Sequence, residues 1–136
     1  RLVACAIWPG WVMFDSTVGI ILVDHGSKRA EANAMLEEVA RVFRERTGAG
    51  VVEAAHMELA SPSLGEAFDR CVARGAKRVV IHPYFLAPGR HSTSDIPRLA
   101  AEAAERHAGV EYVVTAPLGV DERIADVIAA RVREAG

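Results

Sequence analysis

Two glycine-flanked histidines are the residues of this chain best placed to do chemistry. His25 lies in Val23-Asp24-His25-Gly26-Ser27, and His91 follows Pro88-Gly89-Arg90. Each comes just after a run of β-branched residues and just before a helical pattern. Each imidazole therefore sits where a strand hands over to a helix, beside backbone that a ligand can approach closely. Neutral imidazole is a common ligand for Zn, Fe, Ni and Co, and a carboxylate is a natural third partner. With Glu58 on an intervening loop, His25 and His91 can form an open site in which water or substrate fills the remaining positions. The same groups can accept protons, because histidine titrates near neutrality. Arg29, Arg90 and Arg98, with Lys28, lie in or near the same loops and suit an anionic substrate bearing carboxylates or phosphates.

Each of these residues has a plainer reading. A single histidine after a strand is often a turn or cap residue, and it is the pairing at matched loops with Glu58 between them that favours a site. His82 reads as a partly buried structural residue inside a strand, and His56, at a strand end, is a weaker site candidate. His107 ends a helix, where its charge suits the dipole. Alternation turns the Asp24 side chain away from His25. Ser27 reads as the N-cap of the first helix rather than a nucleophile, since no GxSxG elbow surrounds it. No GxGxxG or GxxxxGK[ST] accompanies the Gly26-Ser27 helix start, so nucleotide binding has no support.

The elements that must position these residues alternate regularly. The run 18–24 is apolar up to its closing Asp24, as expected of a strand buried on both faces. Residues 29–46 carry an apolar face of Ala30, Ala34, Met35, Leu36, Val39, Val42 and Phe43, and Gly48 and Gly50 stop that helix. Residues 51–56 form a second strand, and Ser61-Pro62 opens a second helix ending at Gly75. A strand at 79–86, a helix near 95–107, a strand at 110–115 and a helix at 121–134 complete the pattern. Four βα units predict a three-layer α/β/α sandwich with a four-stranded parallel sheet and flavodoxin-like topology. Ligands bind at the carboxyl ends of such strands. His25, Glu58, His91 and Pro117-Leu118-Gly119 follow strands one to four, so separate loops deliver them to one rim.

Composition narrows the function classes. A chain of 136 residues is read as one domain over 18–136, after a poorly defined extension at 1–17. A net charge of −2 offers no bulk attraction for nucleic acid. Two cysteines without a CxxC exclude a thiolate zinc knuckle and fit a reducing compartment, and the cytoplasm is expected. The apolar stretch 2–14 is too short to span a bilayer and is broken by Pro9-Gly10, so no membrane partner is expected. It also lacks a convincing signal-peptide cleavage site. Met13 would be a natural start.

Three separated stretches carry a resemblance. Val23-Asp24-His25-Gly26-Ser27, then Ala55-His56-Met57-Glu58-Leu59-Ala60-Ser61-Pro62-Ser63, then Pro83-Tyr84-Phe85-Leu86-Ala87-Pro88-Gly89-Arg90-His91 with Asp95-Ile96-Pro97, resemble the small class II tetrapyrrole chelatases of the short CbiX and SirB type. Thr115-Ala116-Pro117-Leu118-Gly119 is a further match, and the wording is most similar to the sirohydrochlorin ferrochelatase branch. The resemblance implies insertion of Fe²⁺, or next Co²⁺, into sirohydrochlorin in sirohaem or cobalamin synthesis. It implies that His25 and His91 bind the metal with Glu58, and that the chain works as a homodimer. The metal is then a substrate, and no permanently bound cofactor is expected. Plant-type members can carry a cysteine-rich tail associated with an iron–sulfur cluster; this sequence shows no such tail, so no cluster is expected. Rim arginines Arg29, Arg90 and Arg98 would meet the substrate's carboxylates, and Phe85, Leu86 and Leu118 its flat face. Two rival readings are a non-catalytic metal-binding or metal-delivery protein on the same fold, and hydrolysis of a phosphorylated metabolite, for which no nucleophile is identifiable.

Overall fold

The computed structural model describes residues 14–89 and 91–136, except for the side chains of His91 and Ser92. The elements are β1 (Val18–Asp24), α1 (Ala30–Thr47), β2 (Val51–His56), α2 (Leu64–Ala73), β3 (Arg78–Pro83), a π-helical segment (His91–Asp95), α3 (Ile96–Ala104), β4 (Glu111–Val114) and α4 (Glu122–Glu134). All strand pairs are parallel and the order is β2-β1-β3-β4. This is the α/β sandwich and strand order expected. β1 is apolar from Val18 to Val23 because it lies between two neighbours with helices over both faces; Gly19 to Val23 are all buried.

Alternation sends Ile21 and Val23 to one face and Ile20 and Leu22 to the other. On the first face they join Val79 and Ile81 from β3, Phe68 and Cys71 from α2, and Ile96 and Ala100 from α3. Gly19 lets α2 approach there, since a Cβ at that position would stand 2.8 Å from the Cβ of Cys71. On the second face Ile20 and Leu22 join Val52 and Ala54 from β2 and Leu36 and Ala40 from α1, with Phe14 and Phe43 packed at the margin. Each fully buried aliphatic or aromatic side chain contributes about 1.5–3 kcal/mol. No residue of α4 is buried, and Val113 of β4 remains exposed.

Two helix starts differ from expectation. Ser63, not Ser61, caps α2: its hydroxyl accepts from the Glu66 N–H, while the Glu66 carboxylate accepts from the Ser63 N–H. Pro62 lies outside the helix, after a cis peptide bond. This closed capping box satisfies two orphan donors, which Ser61 could not do from two residues upstream. Ser27 does not cap α1 either. Arg29 holds the N-cap position without a side-chain bond, and Ser27 Oγ accepts from the Arg29 N–H. Asn33 instead clamps the turn, its amide accepting from Ser27 N–H at 2.9 Å and donating to Ser27 O at 2.7 Å.

Candidate functional site

β1 and β2 end together, with Asp24 in register opposite His56. Their side chains meet, the His56 Nδ1 to Asp24 Oδ1 distance being 2.6 Å. His56 is 2% exposed. Because a carboxylate can only accept, the imidazole carries its proton on Nδ1. The same Oδ1 accepts from the Gly26 N–H at 3.0 Å. Alternation does separate Asp24 from His25, as expected, but it brings Asp24 to a different histidine. The strand-end residue expected to be a weaker site candidate is thus a buried partner beneath the rim. The only signal for this in the sequence is that both residues end strands, and it becomes usable once the strands' register is known.

Backbone bonds stitch the next residues together. Met57 N–H donates to Asp24 O at 2.9 Å, and Glu58 N–H donates to His25 O at 3.1 Å. Gly26 makes this possible: its φ is +87°, and a Cβ there would fall 1.8 Å from the Glu58 carbonyl oxygen. Leu59 follows with φ +71°, a left-handed conformation that costs a branched apolar residue about 1–2 kcal/mol. The two candidate ligands His25 and Glu58 are therefore set side by side by main-chain geometry, and both are exposed.

His25 leans on Phe85, ring centroids 4.5 Å apart and planes inclined by 35°. An open cleft of about 310 Å³ beside them is bordered by Asp24, Asn33, Met35 and Tyr84. A second, apolar hollow of about 340 Å³ shares Tyr84 and is bordered by Leu22, Phe43, Val80, His82 and Leu118. The loop after β4 is bonded to the loop after β3, with Leu118 N–H donating to Phe85 O and Gly119 N–H to Leu86 O. Phe85 and Leu118, both read as apolar contacts for a substrate, thus share one rim. His82 is half-buried, as expected, with Nδ1 2.8 Å from Thr115 Oγ1, and burial holds its pKa below the ordinary value. His107 is structural but beyond α3, bonded to Asp69 at 2.6 Å and stacked on Phe68.

The candidate cations are exposed. Arg29 pairs with Glu31 and Arg98 with Glu102. Such surface pairs are worth about 0–1 kcal/mol, so an anionic ligand can displace them at little cost. Arg90 and the side chain of His91 lie outside the described residues; His91 opens the π-helical segment after β3. Among the described residues, no three His, Cys, Asp or Glu side chains stand together as a closed metal cage. What the described rim offers is one imidazole and one carboxylate held on stitched loops beside an aromatic face.

The CbiX family model matches residues 19–135. The chloroplastic sirohydrochlorin ferrochelatase of Arabidopsis thaliana is 55% identical over 115 residues, covering 85% of this chain and 51% of that protein. The sirohydrochlorin cobaltochelatase of Methanocaldococcus jannaschii is 31% identical, covering 80% of this chain and 93% of that one. Among solved structures, the sirohydrochlorin chelatase SirB from Bacillus subtilis subspecies spizizenii, in complex with cobalt, superposes with a TM-score of 0.81 at 27% identity, covering 87% of this chain and 50% of that one. The chain thus spans about half the length of the Arabidopsis and Bacillus proteins.

Proposed function

The chain belongs to the CbiX family, and from that premise we propose that it inserts a divalent metal ion into sirohydrochlorin. Fe²⁺ is the first choice and Co²⁺ the next, because identity to the ferrochelatase is 55% and to the cobaltochelatase 31%. The observation that carries the reading is the stitched rim, where His25 and the Glu58 loop are bonded together next to Phe85.

In this reading His25, His91 and Glu58 hold a partly dehydrated ion that enters and leaves as substrate. Insertion exchanges the ion for two pyrrole N–H protons, and neutral imidazole or the Glu58 carboxylate can accept them. Arg29, Arg90 and Arg98 meet the carboxylates of the macrocycle, and Phe85 and Leu118 meet its face. The test is the absorbance of sirohydrochlorin with Fe²⁺, Co²⁺ and Ni²⁺ in parallel. Catalytic acceleration of the spectral change is expected. Stoichiometric metal binding without turnover would favour a metal-delivery protein instead.

The same proposal includes a homodimer. α4 leaves Val127, Ile128 and Val132 exposed along one helix, and a second copy would remove that apolar surface from water. Sedimentation is expected to show a dimer that Val127→Asp with Val132→Asp converts to monomer; a monomeric wild type contradicts it. Among the described residues no helix is long and apolar enough to cross a membrane. A reducing compartment completes the proposal, the cytoplasm by cysteine usage. A fluorescent fusion separates it from the chloroplast, which the name of the Arabidopsis relative specifies.

A further inference from the structure

Polarity at positions 24 and 56 is not demanded by packing. His56 is all but buried on the α1 side of the sheet, where Val52 and Ala54 of the same strand are apolar. An apolar residue of similar volume would fill that place without needing a partner. An imidazole there costs about 1–3 kcal/mol unless its nitrogen is satisfied, and Asp24 supplies the acceptor. One carboxylate oxygen serves both the His56 ring and the Gly26 N–H. Gly26 is the residue after His25, and the chain runs from His56 through Met57 directly to Glu58.

We propose that the Asp24–His56 pair is a positioning device that fixes the distance between the His25 turn and the Glu58 loop. The inference rests on the reading that His25 and Glu58 receive the metal. The backbone bonds from Met57 and Glu58 join the same two loops, and the pair adds a side-chain tie beside the left-handed Leu59. The pair acts through its neighbours and does not itself touch the ion. Such outer partners orient ligands, and their loss typically weakens metal affinity by about 10–100-fold.

The experiment uses Co²⁺ alone as a probe, through its visible ligand-field spectrum, together with insertion kinetics. His56→Leu keeps volume and removes the donor; His56→Asn restores an N–H near the Nδ1 position. The expected result for His56→Leu is an altered Co²⁺ spectrum and an affinity weaker by about 10–100-fold. KM for metal rises in step while KM for sirohydrochlorin holds, and His56→Asn recovers most of the loss. A merely structural role would lower the active fraction, and hence kcat, without moving the spectrum or the metal KM. If His56→Leu does not fold, Asp24→Ala is read in the same way. A folded variant with unchanged spectrum and affinity overturns the inference while leaving the metal site intact. A wild-type chain with no Co²⁺ spectrum and no insertion overturns the site reading and this inference together.

Discussion

Under α2 and α3, the sheet residues Ile21, Val79 and Ile81 and the helix residues Phe68 and Ile96 have no solvent exposure at all. On the opposite face burial is complete over β1 and β2, where α1 lies, and stops toward β4. There Val113 is exposed, His82 is half-buried beside an apolar hollow, and α4 has no fully buried residue. The two faces use the same strands and differ in what covers them. The difference places the His25–Glu58 rim on the half of the sheet that is covered on both sides, while Leu118 belongs to the less covered half. The candidate pair His25 and Glu58 thus stands on doubly covered strands, whereas the apolar residues near Leu118 border an open hollow.

The contrast is broken most directly by truncation. Phe68→Ala should cost about 3–5 kcal/mol in a denaturant titration, because α2 cannot close over the void. Val127→Ala should stay within about 0.5 kcal/mol of wild type in a monomeric background. Equal losses would erase the distinction between faces. At the rim, Gly26→Ala should cost more than about 1–2 kcal/mol, since the positive φ is joined by direct overlap with the Glu58 carbonyl. The readout is a lower Tm with impaired insertion, and wild-type values would contradict the stitched geometry. Ser63→Ala should cost about 0.5–2 kcal/mol, whereas Ser61→Ala should be nearly neutral.

The smallest expected effects are pH limbs of opposite sign. Burial on the half-open face depresses His82 below its ordinary 6.5. The unfolded chain then binds a proton that the folded chain refuses, so this contribution is present above 6.5 and lost as pH falls toward the folded value. On the sealed face, burial first and Glu53 second push the Cys71 thiol up to about 12 from 9.0. Its contribution is present below 9 and lost as pH rises toward 12. His82→Phe should flatten the acid limb of stability and Cys71→Ala the alkaline one. Limbs unchanged by either substitution would show that the faces do not differ in this way.

Periodicity made the elements legible because β1 is buried on both sides and α1 on one. The helix starts were readable only in part. Ser63-Leu64-Gly65-Glu66 spells a capping box, but Ser61-Pro62 offers a competing start that the geometry does not use. His25 and Glu58 stood out by type and by their place after strands. Asp24–His56 did not, because pairing of residues 32 apart depends on strand register, which local pattern does not encode. The helix at 121–134 was readable too, yet sequence pattern says nothing of what covers its exposed Val127, Ile128 and Val132.

The central claim is that the rim at His25 inserts the metal. It is tested most directly by the initial rate of sirohydrochlorin metallation with Fe²⁺ for wild type, His25→Ala and His91→Ala, each shown by circular dichroism to be folded. The account predicts catalysis by wild type and a loss of about 100-fold or more in both variants. Folded variants that metallate at the wild-type rate would contradict it.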